Sequence, residues 1–192
     1  MSLHEPDDLV CSARHHGLLA MSSDLTIRPY RQEDALPPIT ALLHAAYARL
    51  AEMGLRYTAT HQSDEVTLKR LLRGFPFVAE IDGEIVATVT LYACDPESSC
   101  GWYRRPEVYS FGQFGVRPDE QGRGLGSRLM RLMEDEARKR GAEELALDTA
   151  EGAHHLRDWY GRCGYREVER VDWSSTNYIS VILSKTLNPA IP

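Results

Sequence analysis

Three glycines, Gly122, Gly124 and Gly126, fall inside the run from Val116 to Ser127 (VRPDEQGRGLGS), between a strand-like segment and a strongly amphipathic one. Before them, Glu107 to Val116 is rich in β-branched and aromatic residues; after them, Leu125, Leu129, Leu132, Met133 and Ala137 form an apolar stripe at helical spacing. A strand that turns through glycine into a helix start presents unpaired N–H groups and a partial positive charge, with no Cβ to keep an anion away. A pyrophosphate suits such a place. A P-loop would need Gly-Lys-Ser/Thr, and Gly126-Ser127 lacks the lysine. A dinucleotide fold would need GxGxxG opening a βαβ unit; here the glycines are evenly spaced and follow a hairpin, although Asp148 imitates the ribose-binding acid. Glycines that only shape a tight turn before a packed helix remain the bland alternative.

The rest of the chain reads as seven strands and four helices. A short strand at Leu25 to Arg28 precedes a helix opened by Pro37-Pro38, with Ile39, Leu42, Leu43, Ala46 and Leu50 on one face. Ser63 is a candidate N-cap for a second helix carrying Val66, Leu68, Leu71 and Leu72 and stopping at Gly74. Phe75 to Ile81 and Glu84 to Tyr92 form an antiparallel hairpin around Asp82-Gly83. The polar stretch Cys94 to Pro106 is a loop before the fourth strand. The third helix is expected from Gly122 to Gly141, then a buried strand at Leu145 to Asp148 and a helix with Leu156, Trp159, Tyr160 and Cys163 on its apolar face. Strands near Tyr165 to Val171 and Tyr178 to Leu183 close the pattern, an α/β or α+β class. Residues 24–187 read as one domain, after an N-terminal arm (1–23) in which Met21 is a candidate natural start, and before a tail (188–192).

On its motifs the chain resembles the GNAT superfamily of acyl-CoA-dependent N-acyltransferases. Gln121, Gly124 and Gly126 match that family's Gln/Arg-x-x-Gly-x-Gly/Ala signature, with the Val-x-Pro approach at Val116 and Pro118 and a later Tyr-x-x-x-Gly-aromatic motif at Tyr160, Gly164 and Tyr165. The resemblance implies a mixed, mostly antiparallel central sheet of about seven strands flanked by about four helices. It implies acetyl-CoA as co-substrate, with no metal. The pyrophosphate would rest on backbone amides of Gln121, Gly122, Arg123, Gly124, Leu125, Gly126 and Ser127, Arg123 adding a charge. The pantetheine arm would lie along Phe114, Gly115 and Val116, and a backbone N–H near Val116 would support the oxyanion.

The same resemblance makes Tyr160 the general acid for the departing thiolate, a task within reach of a phenol of pKa about 10; its other role is to complete the apolar face of its helix. Glu107 is the first candidate for the base and Asp148 the second. Where the family often places asparagine, seven residues before the tyrosine, this chain has Ala153, followed by His154 and His155 as exposed helix residues. Arg49 to Gln62 and Cys94 to Pro106, the latter with Trp102, Tyr103, Arg104 and Arg105, are expected to set acceptor specificity.

A net charge of −6 lacks the basic excess that would attract a nucleic acid, and no apolar run approaches the ~18 residues of a membrane span. Cys11, Cys94, Cys100 and Cys163 show no CxxC spacing, which points away from a disulfide framework and towards the cytoplasm. The expected activity is acetyl transfer to a primary amine of a small molecule or peptide by direct attack. A non-catalytic acyl-CoA sensor is the alternative from another class, and the edge strands at the chain's end leave room for a homodimer.

Overall fold

The computed structural model describes residues 24–187; the N-terminal arm with its candidate start at Met21, and the tail, lie outside the described residues. Seven strands form one sheet in the order β1-β2-β3-β4-β5-β7-β6: β1 Leu25–Pro29, β2 Phe75–Ile81, β3 Glu84–Tyr92, β4 Val108–Val116, β5 Glu144–Ala150, β6 Arg166–Asp172 and β7 Ile179–Thr186. Every neighbouring pair is antiparallel except β4 with β5. The helices are α1 Leu36–Glu52, α2 Asp64–Leu72, α3 Leu125–Lys139 and α4 His154–Arg162.

Local chemistry sets most boundaries. Pro37 and Pro38 occupy the first turn of α1, where a missing N–H costs no intrahelical bond. The Ser63 hydroxyl accepts from the Val66 N–H at 3.3 Å and caps α2. Asp82 and Gly83 both adopt positive φ, 53° and 83°, the twist a two-residue hairpin between β2 and β3 requires. At the β1 edge, Arg28 pairs with Glu80 on β2 and, at 2.7 Å, with Asp34 ahead of α1, locking the first strand to the sheet.

The sheet is covered on both faces. Leu129, Met133 and Ala137 of α3 and Tyr160 of α4 pack with Val89, Phe111, Leu145 and Leu147 in the largest core cluster. Ile39 and Leu43 of α1, Leu71 of α2 and Val78 form a second cluster on the other side.

Two departures from the sequence reading matter for the site. The third helix starts at Leu125 rather than Gly122, because Pro118–Glu120 forms a single 3-10 turn and Gly122 and Gly124, at φ 75° and 84°, are left-handed and so non-helical. The fourth strand starts at Val108, leaving Glu107 in the preceding turn, where its carbonyl accepts from the Glu143 and Glu144 N–H groups.

Candidate active site

The parallel seam between β4 and β5 holds for only three rungs, Val108 with Glu144, Tyr109 with Leu145 and Ser110 with Ala146. Beyond Ser110 the strands part company: β4 continues along β3 to Val116, and β5 continues along β7 to Ala150. The resulting wedge carries a cavity of about 570 Å³, with Phe111, Gln113 and Phe114 on one side and Leu147 and Asp148 on the other. Inside the wedge β4 bulges: Gly112 pairs with Thr90 and Gly115 with Thr88, so Gln113 and Phe114 together face the single residue Val89. Gln113 takes a left-handed φ of 50°, uncommon for a residue with a side chain. The break in the ladder thus falls at Gln113 and Phe114, whereas Val116 keeps Ala87 as its partner.

At the far end of β4 lies the glycine turn. Gly124 is the N-cap of α3 and offers no side chain; the first turn contains no acid. The N–H groups of Leu125, Gly126 and Ser127 therefore face outward at the positive end of a 15-residue helix. A Cβ added at Gly122 or Gly124 would meet nothing within 4 Å, so the space above the turn is open, as an incoming phosphate needs. Gly126 packs against an aromatic pair, Phe114 of β4 and Trp159 of α4, whose rings stack at 6.2 Å. Gln121 donates from Nε2 to the Val116 carbonyl at 2.9 Å and closes the loop back onto the strand. Arg123 is exposed and held by Glu120 at 3.1 Å. The open turn and its unpaired N–H groups fit the pyrophosphate of a CoA molecule.

Tyr160 and Glu107, the two residues expected to work together, are not brought together. Tyr160 lines the cavity, ringed by Phe111, Trp159 and Tyr165, and burial pushes its phenol well above the ordinary value, so it stays protonated. Glu107 sits beside the closed end of the seam, outside the cavity lining, and its carboxylate is taken by Arg105 at 2.8 Å. Backbone hydrogen bonding and Arg105 hold Glu107 below its usual pKa, the wrong direction for a base.

Asp148 is the carboxylate in the cavity closest in character to a base. Water reaches it through the cavity, so its surface area is exposed, yet protein surrounds it densely enough that desolvation raises its pKa, against the opposing pull of Arg70 and a 3.4 Å bond from Ser180. Ala153 is fully buried, and His154 and His155 are exposed.

Both segments expected to shape the acceptor side do reach the cavity, through Tyr57, Thr58 and Ala59 and through Asp95, Ser98 and Tyr103. The first is tied across it. The Tyr57 hydroxyl accepts from the Ala150 N–H at 2.6 Å, and Asn177 joins the Arg56 N–H (2.9 Å) to the Gly54 carbonyl (2.8 Å). Sequence reasoning missed Arg70 on α2, Gln113 in the bulge, and Trp173 and Tyr178 between β6 and β7, all of which line the cavity. A glutamine inside an otherwise apolar and glycine-rich strand was the one local signal on offer.

Comparison with known proteins bears on this geometry. The Acetyltransferase (GNAT) family model matches residues 44–165. S-(2-succino)cysteine N-acetyltransferase of Bacillus subtilis is 28% identical over 147 residues, 74% of this chain and 84% of that protein. S-alkylcysteine N-acetyltransferase of the same organism is 25% identical over 174 residues, 88% of this chain and 92% of that one. Among solved structures, a GNAT family acetyltransferase from Elizabethkingia anophelis with acetyl-CoA bound aligns with a TM-score of 0.61 at 18% identity, over 85% of this chain and 98% of its own. The ribosomal-protein-S18-alanine N-acetyltransferase of Escherichia coli aligns at 0.65 and 18%, over 88% and 97%. A wedge opened by three-rung pairing, an uncapped glycine helix start at its end and a family match through both place the chain among the GNAT acetyltransferases, and it belongs to that family as an acetyl-CoA-dependent N-acetyltransferase.

Proposed function

We propose that the protein acetylates the primary amine of a small, amino-acid-like molecule by direct attack within the β4/β5 wedge. The observation that carries this reading is the cavity itself, which adjoins β4 and contains both Tyr160 and Asp148. The names of the two Bacillus subtilis relatives, both acting on cysteine derivatives, support an acceptor of small size.

Bound acetyl-CoA supplies an activated acetyl thioester. The backbone amides from Gln121 to Ser127 hold the pyrophosphate, and the main chain of Phe114, Gly115 and Val116 aligns the arm. Backbone N–H groups at the Gln113–Phe114 bulge, released from regular pairing with β3, donate to the acetyl oxygen. Asp148 takes a proton from the acceptor ammonium, directly or through cavity water, and leaves a neutral amine. The amine nitrogen bonds to the acetyl carbon, the carbon–sulfur bond breaks as Tyr160 donates its hydroxyl proton to the sulfur, and the proton shed by the new amide nitrogen returns through cavity water to the Tyr160 oxygen. A phenol kept protonated and a carboxylate made more basic than usual have the polarity this division needs. Among the described residues the free thiols Cys94, Cys100 and Cys163 support a reducing compartment such as the cytoplasm.

Thermal melting with and without acetyl-CoA tests the cofactor half: at 100 times Kd the native state gains about 2.7 kcal/mol, a rise in Tm of several degrees. Free-thiol release with added amines tests the transfer. An unchanged Tm at millimolar acetyl-CoA, with no thiol release, overturns the reading.

A further inference from the structure

Arg70 and Asp148 are opposite charges facing one cavity, which Lys69, Arg73 and Asp95 also line, and neither is held in an ion pair. Asp148 lies on β5 and Arg70 on the last turn of α2, so they reach the cavity from different layers of the fold. Among the described residues no ion pair within 4.0 Å involves either of them. Arg70 is half-buried and gives one Nη1 bond, 2.9 Å, to the Gln62 side-chain oxygen; its guanidinium has further donors. The Asp148 carboxylate receives only the long Ser180 bond. A half-buried guanidinium and a cavity-facing carboxylate that do not meet leave two charges for a ligand to satisfy.

A third group in the same cavity is also without a partner. Gln113 is 2% exposed, and neither its amide oxygen nor its amide nitrogen has a hydrogen-bond partner. Its backbone is held in an unfavourable conformation at the bulge, which fixes where that amide lies. Much of the remaining wall is aromatic, including Tyr47, Tyr57, Tyr178 and Trp173; Tyr57 packs against Tyr47 at 5.4 Å and Tyr178 at 4.8 Å.

We infer that the acceptor is a free α-amino acid bound as a zwitterion, its ammonium on Asp148, its carboxylate on Arg70, and its side chain against the aromatic wall. The inference rests on the acetyl-transfer reading and narrows it. An α-amino acid carries both charges on one carbon, so it can answer Arg70 and Asp148 at once. A polyamine would place an extra cation beside Arg70, and a peptide N-terminus has no carboxylate where Arg70 needs one.

The test compares matched acceptors on the full chain with saturating acetyl-CoA, following thiol release: L-phenylalanine and S-benzyl-L-cysteine, the carboxamide of each, and the decarboxylated amine of each. Loss of one charge-assisted contact lowers kcat/KM for the carboxamides and the amines by about 10–100-fold. Arg70→Gln raises KM for the two free acids by a similar factor, and because Arg70 also holds the Asp148 pKa down the readout is the acid-to-carboxamide ratio of kcat/KM, which collapses. A general unfolding effect would instead lower every rate together, and Arg70→Lys, which keeps the charge, recovers part of the preference. Equal kcat/KM for acids and carboxamides in the unsubstituted protein overturns the zwitterion inference and leaves acetyl transfer standing. No thiol release with any of these acceptors, while acetyl-CoA still raises Tm, overturns the inference and the transfer reading but not the cofactor site.

Discussion

Gly124→Ala separates the cost of a turn from the value of what the turn binds. Gly124 has φ 84° and caps α3, and a Cβ there would touch nothing within 4 Å, so the substitution introduces backbone strain without a clash. An L-residue in the left-handed region costs about 1–2 kcal/mol, and for a chain of this size that lowers Tm by roughly 2–8 °C. The strain is relieved by rotating the peptide out of the left-handed region, which redirects the N–H groups of Leu125, Gly126 and Ser127. Each hydrogen bond to a charged phosphate is worth about 1.5–3 kcal/mol, so losing one weakens acetyl-CoA binding by about 10–100-fold. Gly141→Ala is the matched control. It lies just past the other end of α3, has φ 82°, and has equally empty space around an added Cβ. Calorimetric melting and acetyl-CoA titration of both variants are expected to show similar losses of Tm but weakened binding only for Gly124→Ala. Equal acetyl-CoA affinities in the two variants refute the claim that this turn holds the pyrophosphate.

Tyr160→Phe keeps the ring among Phe111, Trp159 and Tyr165, so acetyl-CoA affinity should hold while kcat falls about 10²-fold or more in a thiol-release assay. Asp148 must be ionised to accept a proton, so kcat/KM should fall as pH drops through a pKa above its ordinary 3.8, and Asp148→Asn should abolish that limb of the profile. Because desolvation raises that pKa on folding, the native state binds the proton more tightly than the unfolded chain, and stability declines as pH rises from 3.8 through the native value; Asp148→Asn should therefore melt higher at neutral pH. Asp34 behaves in the opposite sense: Arg28 holds its pKa down, so its contribution is present above the unfolded pKa and lost as pH falls through the native one. Arg28→Leu should cost about 1–3 kcal/mol in denaturant unfolding and leave the pH dependence of Tm flatter in acid.

The element order was legible because each boundary carried its own chemistry: two prolines at the start of α1, Ser63 ahead of α2, Asp82-Gly83 between β2 and β3. The cofactor turn was legible for the same reason, being a contiguous stretch. The acceptor side was not. Arg70 sits on the polar side of an amphipathic helix, where an arginine reads as solvated, and only the packing of α2 over the wedge turns it inward. Glu107 and Asp148 are indistinguishable as strand-end carboxylates in sequence; what separates them is that β4 and β5 pair for three rungs at the Glu107 end and diverge at the other. Register of that kind is a long-range property of two strands separated by α3, and no local pattern encodes it.

A seam held by three rungs also makes the molecule two half-sheets with a hinge. One flap is β1 to β4; the other is β5 to β7; they share the core cluster under α3 that holds Phe111 with Leu145 and Leu147, and polar ties such as Tyr57 to Ala150 and Asn177 to Gly54 add to it. Whatever enters the wedge first then acts as a shim that sets the gap for whatever enters second. Sequential loading, with the long ligand ahead of the short one, is what such a jaw favours.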